Sequence, residues 1–301
     1  FASALNAASS GDTIIKLLAD VSTETLPCNN MTYDLNGKTL TYSSGKAVAP
    51  TGNQTLKFMD SSVSGATRGG TLNLSGVAGT NAALNPKTGG TVTAENINVS
   101  CNGSAFFPAG DAAAVNVTNC DVTSAVYCVA TNAGTNANYN VVITLKDSTF
   151  KTTANDGDDC AVMINVPGSL IIDNCEITGD RQAVMVRAGE ATITNSKITA
   201  TGNYSDSNDY ENTKQWGSGN EVPMAAIVVG SQTSAYKADA VCSITDTEIS
   251  APSAEGKEKP AVYVSSNSKT NSEFKSQLNI SGEETKITGD VVVADGTETT
   301  P

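Results

Sequence analysis

Apolar and polar residues alternate along this chain in short runs, and the runs are copies of one another. One reads Val115-Asn-Val117-Thr-Asn119-Cys120-Asp-Val122-Thr123, a second Leu170-Ile-Ile172-Asp-Asn174-Cys175-Glu-Ile177-Thr178, a third Ala191-Thr-Ile193-Thr-Asn195-Ser196-Lys-Ile198-Thr199. Val92 to Ser100, Ile143 to Lys151, Cys242 to Ser250 and Leu56 to Ser64 fit the same template, Leu278 to Thr288 fits with an insertion, and Thr32 to Thr41 is a looser early copy. The template is apolar-x-apolar-x-(Asn/Asp)-(Cys/Ser/Thr)-x-(Val/Ile)-(Thr/Ser). Its period of two predicts strands with one buried face. At the Asn or Asp the alternation slips by one residue, which requires a bend, and these residues tolerate the left-handed backbone of a sharp bend. Asn96, Asn119, Asp147, Asn174, Asn195 and Asp246 are therefore expected in one column, hydrogen-bonded along the stack as a structural ladder.

A second short apolar stretch follows each copy, as in Ala125 to Val129, Ala161 to Ile164, Ala183 to Val186, Ala226 to Val229 and Ala261 to Val264. Counted at the Val, Ile or Phe after the bend, the copies from Val99 to Ile249 are spaced by 23, 28, 27, 21 and 51 residues. Two or three strands per repeat at this spacing suit one turn of a coil whose strands pair in parallel with the turns above and below. The expected fold is all-β, a right-handed parallel β-helix of about nine turns, on the order of 40 Å long at strand spacing. A β-sandwich leaves the fixed offset of the Asn column unexplained, and a leucine-rich repeat needs a helical side that is missing.

The opening A-L-N-A-A-S-S-G-D-T-I-I-K-L, followed by Y-D-L-N-G-K-T-L-T, resembles the start of right-handed β-helix domains of bacterial cell-surface, adhesin-like proteins, within the pectate-lyase-like fold superfamily. The resemblance implies a short helix capping the first turn, here Ala2 to Ala8, ended by Gly11. With the repeat spacing, this gives an expected cap over 1–12, a coil over 13–296 with a long insertion at 201–223, and a tail or linker start at 297–301. The abrupt start at Phe1 and the Ser/Thr/Asn-rich, Lys-poor composition lead us to expect an excised part of a longer exported protein, at the cell surface or outside the cell.

Composition narrows the chemistry. The formal net charge is −13, from 18 basic and 31 acidic residues, so nucleic acid is excluded as a partner and anionic surfaces are repelled. No apolar run is long enough for membrane insertion. With no His, seven Cys and no C-x-x-C pair, no metal site of zinc type is expected. No cofactor is expected either. Asp156, Asp158 and Asp159 are of the right type for calcium, but no calcium-binding loop pattern surrounds them. Cys120 and Cys175 hold the same template position two turns apart with Ser148 between, roughly 9–10 Å by strand spacing. That is beyond disulfide reach, so both are expected as free core thiols, with Cys128 and Cys242 also inward.

Enzymes share this fold. Gly157-Asp158-Asp159-Cys160 is similar to the G-D-D-C motif of the polygalacturonases, which implies Asp158 and Asp159 as a catalytic pair. The acid one turn earlier, the His and the R-I-K motif of that family are all missing. A lyase would need an Arg or Lys base; the 18 basic residues are scattered and Arg occurs only at Arg68, Arg181 and Arg187, although Asp180-Arg181 and Arg187 lie close in sequence.

On the second strand, taking Val126 and Cys128 as inward makes Tyr127 outward. Phe107, Tyr127, Met163, Met185, Val228 and Tyr263 then form an outward apolar column, where the first strand carries Thr93, Asn116, Thr144 and Thr192. Such a stripe needs a cover or a partner. Thr201 to Pro223, with Tyr204, Tyr210 and the only Trp, Trp216, is the local candidate for a cover. Otherwise Phe107, Tyr127, Met163, Met185 and Tyr263, with Tyr204, Tyr210 and Trp216, make a platform for a glycan or a host or cell-surface protein. The leading expectation is a rigid, non-catalytic surface module. The alternatives are a polysaccharide hydrolase or lyase, and a phage or capsule-associated fibre. Oligomeric state is left open.

Overall fold

The computed structural model describes residues 3, 5, 13–131, 139–153, 160–201, 214–216, 220–222, 225–230, 238–251, 260–265, 274–293 and 298–300. It is a right-handed parallel β-helix. A 14-stranded sheet gathers the first strands of the turns and continues onto the third side. A 10-stranded sheet gathers the second strands, and its neighbours pair in parallel from Val21–Thr23 to Lys286–Thr288. Leu56, Val92, Val115, Ile143, Leu170, Ala191, Cys242 and Leu278 are successive Cα partners through the first sheet. Every one of these eight is at most 2% exposed. Each fully buried Val, Leu or Ile contributes about 1.5–3 kcal/mol, so this inward column contributes strongly to stability.

Six bends between the two sheets share one backbone solution. Asn96, Asn119, Asp147, Asn174, Asn195 and Asp246 all lie at φ between 48° and 59°. Side-chain links along the column come in pairs rather than as one chain. Asn119 Nδ2 donates to Asn96 Oδ1 (2.8 Å), and Asn174 Nδ2 donates to Asp147 Oδ1 (2.7 Å). Asn195 Nδ2 turns instead to Asp173 Oδ1, 3.0 Å away.

The next template position carries a second ladder that explains its Cys/Ser/Thr preference. Ser148, Ser196 and Thr247 each donate their hydroxyl to the carbonyl two residues back, at 2.5, 2.6 and 2.9 Å. The same oxygens accept the backbone N–H of Cys120, Cys175 and Ser196 from the preceding turn, at 3.0, 3.0 and 3.4 Å. Cys120 and Cys175 donate their thiols in the equivalent direction, to Thr118 and Asp173 carbonyls at 3.3 Å. All seven cysteines are free, and all but Cys28 are buried. Burial pushes the Cys120 thiol up to about 12 and Cys175 to about 11.

The earliest turns use carboxylates instead. Asp60 is 1% exposed, and it accepts the backbone N–H of Gly37 (2.6 Å), Gly70 (2.5 Å) and Ser62 (2.8 Å), so one side chain ties the turns together. Asp34 accepts from Ser61 N, Ser61 Oγ and Lys16.

On the third side the strands Cys160–Asp173 and Gln182–Thr194 run straight from the third strand of one turn into the first strand of the next. Their registers shift between Ile164 and Ser169. Gly189 sits there at φ 85°, and a Cβ on it would lie 2.7 Å from the Val166 carbonyl oxygen.

The outward apolar column is not open. Tyr127, Met163 and Met185 are only 8, 5 and 3% exposed and form a second apolar cluster with Val126, Ala130, Cys160, Ala225 and Val228. Two expectations are corrected. Val129 bridges both Phe106 and Val162, so Ala130, not Tyr127, stands between Phe107 and Met163 in the column. Val126, expected inward, belongs to the outer cluster, whereas Cys128 is inward. The reason is local: residues 125–128 are bends and irregular backbone rather than strand, so strict alternation does not hold there.

Ser3 and Leu5 are helical, and Leu5 packs on the main core; the rest of the expected cap lies outside the described residues. The expected tail includes a further strand, Glu298–Thr300, paired in parallel with Ser276–Ser281. Among the described residues no helix is long and apolar enough to cross a membrane.

Candidate functional site

The third side carries the residues that sequence reasoning singled out. Met163, Met185, Val228 and Tyr263 are successive Cα partners, with Phe107 and Tyr263 only partly buried at the margin of the cluster. An apolar face this well covered is a small core rather than a platform. Trp216 lies in a strand, Lys214–Trp216, paired antiparallel with Asn220–Val222, so the insertion contains a hairpin. Tyr204, Tyr210, Asp156, Asp158 and Asp159 lie outside the described residues.

Beside the cluster is a run of buried polar groups. Asp180, Arg181, Gln182 and Arg187 are 7, 3, 0 and 2% exposed. Thr201 Oγ1 donates to Asp180 Oδ1 at 3.0 Å. Nearby, Thr131 Oγ1 bonds both the Asn165 Oδ1 and the Asn165 backbone N–H, each at 2.8 Å. Two guanidiniums and a carboxylate held out of water are costly unless paired. Asp180, Arg181 and Arg187 lie close in sequence, but their burial was not legible from that spacing.

A different feature was missed altogether. A groove of about 830 Å³ runs along the corner between the first and second sheets. Its floor is the Asn/Asp column together with the residue two positions on: Glu176, Lys197, Glu248 and Lys286, which are successive Cα partners. At one end stands the loop carrying Arg68, whose Nη2 donates to the Asp147 carbonyl (3.0 Å) and whose Nε faces Asp121 Oδ1 at 3.3 Å. That loop is tethered by Asn119 Nδ2, which donates to the Gly65 and Thr67 carbonyls at 2.8 and 3.2 Å. At the other end the Glu283–Glu284 turn is held by the Glu284 N–H on Asp246 Oδ1, 3.2 Å. Both walls are thus anchored on ladder residues. The signal was present in the repeat, since the unassigned position after Cys/Ser/Thr holds a charge in Glu176, Lys197 and Glu248.

Electrostatically, Asp173 beside the groove is held below the usual carboxylate range, first by the Asn195 amide, then by the Thr194 hydroxyl. Among the described residues no group of three or more His, Cys, Asp or Glu is placed to hold a metal ion.

A comparison with protein-family models finds no match, nor does one with curated proteins. Two solved structures from Azotobacter vinelandii are similar in fold. The A-module of mannuronan C-5 epimerase AlgE4 is 11% identical, with a TM-score of 0.39, over 99% of this chain and 90% of that one. The A-module of AlgE6 is 10% identical, with a TM-score of 0.31, over 99% and 93%. Likeness of this degree carries no inference about activity.

Proposed function

We propose that the chain is a rigid, non-catalytic module of an exported cell-surface protein, and that it binds a glycan or a surface protein through the groove at its first corner. The observation that carries this reading is the groove itself. It has the volume of a ligand site, and its walls are pinned to the repeat. Its floor is set in register by three consecutive strand pairings, so it is pre-formed and little ordering free energy is needed on binding. The Ser-, Thr- and Asn-rich composition supports an extracellular setting.

Screening the protein on a glycan array and a panel of surface proteins, with a reducing-sugar release assay in parallel, tests this. Binding without release supports the module. Turnover of any polysaccharide would overturn it.

A second reading, a polysaccharide-active enzyme, is favoured by three charged residues, Asp180, Arg181 and Arg187, each buried on the third side. Under that reading Arg187→Lys abolishes turnover, because an ammonium cannot reproduce the planar guanidinium fork.

A further inference from the structure

The four charged side chains of the groove floor alternate in sign from one turn to the next, yet do not pair. Glu176, Lys197, Glu248 and Lys286 are all exposed, and among the described residues their side chains make no hydrogen bond or ion pair. Exposed pairs of this kind are worth little, so a ligand displaces only water from them.

Their chemistry restricts what fits. A carboxylate only accepts hydrogen bonds and an ammonium only donates them, whereas a hydroxyl does both. A floor that alternates pure acceptor with pure donor, at about 4.8 Å per turn, therefore matches a chain of hydroxyl groups. An extended peptide repeats at about 3.3 Å per residue and drifts out of step with the turns. Charge excludes polyanions: six carboxylates and three cations line the groove, on a chain of net charge −13. The span between the two walls, from Asn119 to Asp246, covers four turn spacings, roughly 19 Å.

We infer that this groove takes a neutral oligosaccharide laid along the coil axis between Arg68 and Glu283. The inference rests on the binding-module reading and names its ligand class and site. No aromatic ring is among the lining residues, so recognition is by hydrogen bonds and the affinity is modest.

The test is nuclear magnetic resonance on the full chain, ¹⁵N-labelled. Cellotetraose, mannotetraose, chitotetraose and tetragalacturonate are each titrated to millimolar concentration. At least one neutral tetrasaccharide is expected to shift the side-chain amide signals of Asn174 and Asn195 saturably, with tetragalacturonate about tenfold weaker or silent. The double variant Glu176→Ala, Lys197→Ala is expected to weaken the neutral sugar about tenfold with an unchanged thermal midpoint. Saturable shifts that leave Asn174 and Asn195 still would overturn the groove assignment while keeping the module reading. Absence of any saturable shift, or preference for tetragalacturonate, would overturn the ligand class. Cleavage of a tetrasaccharide during the titration would instead sink the non-catalytic reading.

Discussion

The first corner and the third side of this coil are built on opposite rules. At the first corner the turns from Asn119 to Asp246 solve the same problem in the same few residues. An Asn or Asp takes the left-handed bend, and the Ser or Thr after it at 148, 196 and 247 accepts a backbone N–H from the turn behind it. On the third side no such local rule operates. Registers shift, Gly189 absorbs a tight approach, and Met163, Met185 and Val228 are buried in a cluster outside the main core. The difference teaches that a solenoid separates what must be uniform, its stacking, from what is free to vary, its outer layers.

Met185 gives the most forceful test of that contrast. Taken as a stripe open to partners, the outer column would tolerate truncation with almost no change in stability. Taken as a second core, Met185→Ala is expected to cost about 2–4 kcal/mol, comparable with truncating an inward Ile. Urea denaturation of Met185→Ala beside Ile193→Ala measures this. A cost below about 0.5 kcal/mol would show that the cluster is only loosely covered and would reopen a binding role for Met163 and Met185.

The same contrast accounts for what could be seen in advance. The strand registers from Val92 to Leu278 follow directly from the template, because inward burial and the bend residue are both encoded within nine positions. Phe107 to Tyr263 was legible as an anomaly that needs a cover or a partner, but not as one rather than the other, since the residues that cover a face are not written on the face. Tyr127 was misplaced because a run of bends looks like a strand when only apolar alternation is read. The groove was hidden for another reason. Glu176, Lys197 and Glu248 each look like an ordinary solvated charge, and their meaning appears only when consecutive turns set them side by side with Lys286.

A smaller effect probes the corner itself. Asn174 combines a positive φ with an amide bond to Asp147, and the two contributions separate by substitution. Asn174→Leu loses both and is expected to cost about 1–3 kcal/mol. Asn174→Gly keeps the backbone freely accessible and loses only the exposed amide link, so it is expected to cost less than Leu. Equal costs for the two variants would mean that the hydrogen bond, not the bend, holds the corner.

The smallest effect distinguishes the neutral bends from the carboxylate that serves the early turns. Burial tends to raise the Asp60 carboxyl, but the Ser62 hydroxyl and then the Gly37, Gly70 and Ser62 amides outweigh it, and its folded-state pKa lies below the ordinary value. Stability from such a group is fully present above the unfolded pKa of about 3.9 and is lost as pH falls through the lower folded value. Asn96 and Asn119 do not titrate and bond to each other, so their bends have no such dependence of their own. Acid should therefore loosen the early turns first, with the Gly37 and Gly70 amides losing protection from hydrogen exchange before that of Asn119. Asp60→Asn removes the titrating group; it should be less stable than the parent at neutral pH and lose less stability between about pH 5 and pH 2. Identical acid slopes for Asp60→Asn and the parent would show that Asp60 does not carry the acid sensitivity. The dependence would then have to come from Asp34 and Asp173, whose carboxyls hydrogen bonds also hold low, in Asp34 against the opposing effect of burial.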